Sequence, residues 1–121
     1  MTNRIFIICT HGPENAELAT LAFVMATTAQ ASDISVLIGL QGPGAWLAKK
    51  GVADAIGAPA FPRLKQLLAI YQEGGGKMIV CGACIKARGI NPHTDFVEGA
   101  AVVNSGSFIH EVTEATQVLV Y

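Results

Sequence analysis

The sequence predicts a single α/β domain, a three-layer α/β/α sandwich built around a mainly parallel, five-stranded sheet. Two observations indicate this class. Short apolar runs without polar alternation are typical of parallel strands that are covered on both faces. Segments with apolar residues at helical spacing lie between these runs, which is the βαβ pattern. The 121 residues fit one domain, 1–121, that can bury its own core.

The first half of the chain predicts one βαβ unit with a right-handed crossover. Residues 5–9 form a continuous apolar run of strand length, and residues 33–39 form a second. Between them, Ala16–Ala31 is rich in Ala, Leu and Met at helical spacing, and Thr10 or Asn15 is available to cap that helix. The unit therefore contributes two neighbouring parallel strands.

The second half predicts three further strands. A short helix over 45–51, a surface connection over 52–62 and a helix over 63–73 lead to a strand that ends at Cys81. A helical segment follows that cysteine directly. The chain then closes with a strand at 100–103, a helix at 105–115 and a strand at 117–121. The order of the strands within the sheet does not follow from these patterns.

The composition limits the classes of partner. Only 14% of the residues are charged, against about a quarter in an average protein, and 51% are hydrophobic. Because monomers rarely expose so much apolar surface, we expect a homo-oligomer. The net charge of −1 and the lack of a basic run disfavour nucleic acid. No apolar run approaches a membrane span or a signal peptide, so we expect a cytoplasmic protein.

The most informative stretch is KMIVCGACIKARGI, in which a strand runs into Cys81 and a helix follows. Such a turn places a thiol where unpaired backbone N–H groups favour an anion. Lys86 and Arg88 add positive charge nearby, and cysteine reactivity follows the thiolate fraction. Any chemistry of this chain is therefore expected at Cys81.

The C-x-x-C pair of Cys81 and Cys84 is compatible with several kinds of site. Cys81 can be a nucleophilic, sulfur-carrying thiol with Cys84 as an auxiliary or resolving partner. The pair can also be a dithiol redox centre or two inert buried residues. A metal site that adds Cys9 and His11 is disfavoured, because structural zinc normally takes four ligands in two paired clusters. No metal is expected, and the absence of nucleotide-binding motifs predicts no cofactor.

Other polar residues follow strands at the same edge of the predicted sheet. Open α/β sheets bind ligands at the carboxyl ends of their strands. His11 and Gly12 lie after the first strand and Asn104 after the fourth, so these three are candidate substrate-binding residues. For Cys9 the simpler expectation is a small core residue, and for His11 a loop-capping or solvent-exposed role.

Three segments together resemble the DsrE/DsrF family, which includes the TusD-type sulfur-relay subunits. They are IFIICTHGPENAELATLAFVMA, IVCGACIKARGI and NSGSFIHEVTEATQVLVY, and the resemblance covers essentially the whole chain. It implies a small three-layer α/β protein that assembles into trimers or hexamers. It also implies that Cys81 accepts sulfane sulfur as a persulfide, with Arg88 in the matching arginine position. Cys84 has no counterpart with an assigned role.

The function predicted from this resemblance is that of a sulfur-relay protein, and so of a possible sulfurtransferase. It would need a sulfur-donor protein and a sulfur-acceptor protein. Two alternatives stay open. One is a non-catalytic oligomeric module that binds a small ligand, and the other is a redox protein that cycles a Cys81–Cys84 disulfide.

Overall fold

The computed structural model describes residues 3–121, which form a five-stranded parallel sheet with helices on both faces. This confirms the predicted α/β class and strand number. The strands are β1 (Arg4–Cys9), β2 (Ser35–Leu40), β3 (Met78–Cys81), β4 (Ala100–Val103) and β5 (Gln117–Val120). The α-helices are α1 (Ala16–Ala31), α2 (Leu64–Glu73), α3 (Gly82–Ala87) and α4 (Ser105–Glu114).

The strand order across the sheet is β4-β3-β2-β1-β5. From β1 the chain steps to β2, β3 and β4 in one direction, so right-handed crossovers place α1 and α2 on one face. The connection from β4 to β5 returns across the whole sheet, and α4 therefore covers the opposite face. This order puts β4 directly beside β3, the strand that carries Cys81.

The two faces of the sheet are packed unequally. On one face α1 packs against α2, and the rings of Phe23 and Tyr71 meet edge to face at 5.8 Å. On the other face the ring of Phe108 in α4 lies 5.8 Å from that of Phe6. Both rings close over Gly39, where an added Cβ would lie 2.7 Å from each. Glycine is required there because the two rings occupy the space of a side chain.

The segment after β2 differs from the prediction. Instead of an α-helix over 45–51, a 3₁₀ helix spans Gly42–Ala48 and a second one spans Ala53–Ala55. The first helix begins earlier than expected because Pro43 fits a first helical turn, where its missing N–H is no loss. The expected surface connection also buries Ile56 in the core. At α1, the side chain of Asn15 is the cap.

No helix within residues 3–121 has the length and apolarity needed to cross a bilayer.

Candidate functional site

Cys81 lies where the sequence predicted, at a turn from strand to helix. It is the last residue of β3 and the N-cap of α3. Its thiol is free and half-buried. Because β3 is flanked by β2 and β4, Cys81 lies at the carboxyl end of an internal strand and not of an edge strand.

An open pocket of about 640 Å³ adjoins this thiol. The neighbouring strand β4 and the start of α4 form its far wall. None of the lining side chains is charged, and apolar groups dominate over a few hydroxyl and amide groups. The pocket is lined by Cys81, Gly82, Ala83, Val102, Val103, Asn104, Ser105 and Ser107. A small, uncharged or weakly charged group can therefore approach Cys81 from the β4 side.

Cys84 does not line the pocket, and its sulfur lies beside the segment that follows β2. Its sulfur accepts a hydrogen bond of 3.2 Å from the backbone N–H of Gly42, at the start of the first 3₁₀ helix. Burial, followed by hydrogen bonding with the Cys81 thiol, raises the pKa of Cys84 above its ordinary value. The Gly42 N–H and the charge of Arg88 offset part of this rise. Cys84 is therefore a protonated neighbour of Cys81 at neutral pH.

Arg88 is oriented toward Cys84 rather than toward the pocket. Its Nη1 donates a hydrogen bond of 3.0 Å to the backbone carbonyl oxygen of Cys84. Arg88 is also the C-cap residue that follows α3, so this bond closes the short helix. The predicted electrostatic assistance to Cys81 would act across this turn and stays a prediction.

Cys9 is a core residue. It has 0% exposure, and its Sγ donates a hydrogen bond of 3.2 Å to the carbonyl oxygen of His11. Burial raises its pKa to about 11. At neutral pH almost none of this thiol is ionised, and no solvent reaches it. Cys9 is therefore unsuited to nucleophilic chemistry.

His11 and Gly12 do not join the pocket at Cys81. Strand β2 lies between β1 and β3, which separates their loop from Cys81 by roughly 10 Å. His11 Nδ1 is 2.6 Å from the carboxylate of Glu14, which also accepts the N–H of Gly12. A Cβ on Gly12 would collide with the carbonyl oxygen of Pro43. Both residues therefore have local structural roles in this loop.

Asn104 does line the pocket, and it is also the N-cap residue of α4. Its Oδ1 accepts a hydrogen bond of 2.9 Å from the backbone N–H of Ser107. The sequence did not single out Ser107, or the Gly42 N–H that holds Cys84. Ser107 follows β4, so knowledge that β4 adjoins β3 would have pointed to it. Within residues 3–121 no group of three or more His, Cys, Asp or Glu side chains is placed to hold a metal ion.

Comparison with known proteins identifies relatives over nearly the whole chain. The profile of the DsrE/DsrF-like family matches residues 3–121. Uncharacterized protein MJ0760 of Methanocaldococcus jannaschii is 35% identical over 93% of this chain, which spans only 40% of that relative's length. Uncharacterized protein MJ0989 of the same organism is 33% identical over 95% of this chain and 96% of its own. Uncharacterized protein MK0008 of Methanopyrus kandleri is 30% identical over 97% and 93%.

Two solved structures share the fold. The YchN protein of E. coli superposes with a TM-score of 0.80 over 100% of both chains at 15% identity. MTH1491 of Methanobacterium thermoautotrophicum, a protein of unknown function, superposes with a TM-score of 0.70 over 98% of this chain and 99% of its own, at 17% identity. At these identities the likeness is one of fold.

Proposed function

The chain belongs to the DsrE/DsrF-like family, which is associated with sulfur relay, and we propose that it accepts sulfane sulfur on Cys81 and passes it to a partner protein. One observation carries this assignment. All three cysteines are free thiols, but Cys81 is the one that is partly exposed and also lines a pocket. Cys9 is buried, and Cys84 is partly exposed but does not line the pocket.

The proposed transfer consists of two displacements at sulfur. The Cys81 thiolate attacks the terminal sulfur of a donor persulfide, and the donor thiolate leaves, so Cys81 becomes a persulfide. An acceptor thiolate then attacks the outer sulfur, and the Cys81 thiolate leaves. The pocket of about 640 Å³ has room for the added sulfur and for an incoming cysteine side chain.

Of the remaining candidate site residues, one lines the pocket at Cys81 and the others lie outside it. Asn104 lines the pocket and is proposed to contact the transferred group. Arg88 is proposed to act electrostatically through its contact with Cys84. His11 and Gly12 are too far from Cys81 to touch its sulfur. A binding role for them would require a partner surface that extends across β2.

We further propose a cytoplasmic homo-oligomer, a trimer or hexamer, that docks separate donor and acceptor proteins. Exposed apolar side chains on the more thinly covered face support self-assembly. Val118 and Val120 of β5 pair with Phe6 and Ile8, which places them on the face that α4 covers. Val120 is 65% exposed and Ile109 of α4 is 63% exposed.

Intact-mass measurement tests the proposal. The reduced protein is treated with a sulfane-sulfur donor and compared with Cys81→Ser and Cys84→Ser. A gain of sulfur that is lost in Cys81→Ser and still occurs in Cys84→Ser supports the carrier function. A gain that persists in Cys81→Ser would overturn the assignment of the accepting residue.

The contact between Cys84 and Cys81 favours thiol–disulfide redox chemistry as a second candidate. It predicts that mild oxidation removes two hydrogens from the chain and that a sulfane donor adds no sulfur. A chain that responds to neither treatment would instead be a non-catalytic module that binds a small ligand in the same pocket.

A further inference from the structure

We propose that Cys84 discharges the Cys81 persulfide as hydrogen sulfide, closing a Cys81–Cys84 disulfide when no acceptor takes the sulfur. This inference rests on the proposed function, because it needs a persulfide on Cys81. It adds a second outcome for the bound sulfur, which is reductive release instead of transfer. It also gives Cys84 a role that sulfur relay alone does not require.

The positions of the two sulfurs carry the inference. Cys81 is the N-cap of α3 and Cys84 is three residues later, on the same side of the first helical turn. The intervening Gly82 and Ala83 are small, and C-x-x-C pairs at helix starts form disulfides in redox proteins. The backbone N–H of Gly42 donates a hydrogen bond of 3.2 Å to the Cys84 sulfur. That bond keeps Cys84 beside Cys81 rather than free in solvent.

Transfer to an acceptor and discharge by Cys84 would approach Cys81 from different directions. Cys81 lines the pocket and Cys84 does not. An acceptor thiol that enters through the pocket therefore meets the outer, transferable sulfur. The thiol of Cys84 is hydrogen-bonded with that of Cys81 and therefore lies next to the Sγ atom of Cys81 itself. Attack on the outer sulfur transfers that sulfur to the acceptor. Attack on the inner sulfur, the Sγ of Cys81, releases the outer sulfur as hydrosulfide.

The discharge step is balanced without an external oxidant. Cys84 loses its proton to solvent, and its thiolate attacks the Sγ of Cys81. The persulfide reacts in its protonated form. The bond between that Sγ and the outer sulfur breaks, hydrosulfide leaves with that proton, and a second proton from solvent gives hydrogen sulfide. The two cysteines are oxidised to a disulfide, and the sulfane sulfur is reduced by two electrons to sulfide. An external dithiol returns the disulfide to two thiols.

The protonation state of Cys84 controls the rate of this step. Burial and hydrogen bonding with Cys81 raise its pKa, so only a small fraction is thiolate at neutral pH. The persulfide is therefore retained for transfer at neutral pH.

A single-turnover experiment tests the inference. The reduced protein is loaded with inorganic polysulfide under anaerobic conditions and desalted, and released sulfide and intact mass are then followed. In the wild type we expect the added sulfur to disappear with one sulfide per chain, leaving a mass two hydrogens below the reduced protein. The rate should be independent of protein concentration, because both cysteines belong to one chain. In Cys84→Ser the added sulfur should persist at least about tenfold longer.

Cys9→Ala serves as the matched control, because it removes a thiol that is buried elsewhere in the core. It should release sulfide at the wild-type rate. A wild type that holds its sulfur as long as Cys84→Ser does would overturn the inference and leave the carrier function standing. Failure of the wild type and of all variants to gain sulfur would overturn the carrier function and the inference with it.

Discussion

Two matched substitutions, Cys9→Ala and Cys81→Ala, should separate a structural thiol from a functional one. Each substitution removes one side-chain sulfur and changes nothing else. Cys9 has 0% exposure and belongs to the main core cluster, whereas Cys81 is half-buried beside an open pocket. We expect Cys9→Ala to lower stability and leave sulfur uptake intact. Cys81→Ala should do the reverse.

The loss of stability expected for Cys9→Ala follows from the full burial of the Cys9 side chain. Removing a fully buried group the size of one methylene lowers the free energy of unfolding by about 0.8 kcal/mol through lost transfer free energy. The cavity left behind brings the loss to about 1 kcal/mol, with a range of about 0.5–1.5. For a domain of this length, that corresponds to a fall in Tm of about 4 °C. Cys81→Ala leaves the core unchanged, so its Tm should shift by less than about 2 °C.

Thermal unfolding followed by circular dichroism measures the first effect, and intact mass after exposure to a sulfane-sulfur donor measures the second. Both assays are applied to the wild type and to each variant at one pH. The reasoning is refuted if Cys81→Ala still gains sulfur. It is also refuted if Cys9→Ala keeps the wild-type Tm but no longer gains sulfur.

Three further substitutions test other parts of the structure. Tyr71→Phe removes a buried hydroxyl that donates a hydrogen bond of 2.6 Å to the carbonyl oxygen of Lys77. The free energy of unfolding in urea should therefore fall by about 1–2 kcal/mol. Equal stability of the variant and the wild type would show that this bond contributes nothing. Asn104→Ala removes the cap on the Ser107 N–H and should cost about 1 kcal/mol by the same measurement, most of which Asn104→Ser should restore. Val120→Asp places a charge on the exposed apolar face. It should lower the mass of the assembly in analytical ultracentrifugation. An unchanged mass would exclude this face from the interface between subunits.

Local patterns in the sequence were enough to predict most of the elements. The strands are short apolar runs because a parallel sheet with helices on both faces buries both sides of each strand. Helix α2 ends at a run of three glycines, as its composition indicated. The turn from β3 into α3 at Cys81 also followed from the local order of apolar, small and helix-forming residues. These are properties of neighbours along the chain.

The segment after β2 was predicted less well because its conformation depends on a distant contact. The 3₁₀ helix Gly42–Ala48 packs so closely on the end of β1 that a Cβ on Gly44 would collide with the carbonyl oxygen of Cys9. Propensity alone favoured an α-helix that starts at Ala45. The close approach of two backbones selected the tighter helix instead.

The sequence by itself determined the fold class and the position of Cys81 at the end of a strand. Only the tertiary structure decided which other residues reach that thiol. Strand order is set by packing over long distances in the chain, and it places β4 beside β3 and β2 between β3 and β1. For that physical reason Asn104 and Ser107 line the pocket with Cys81, while His11 and Gly12, at the same edge of the sheet, lie two strands away.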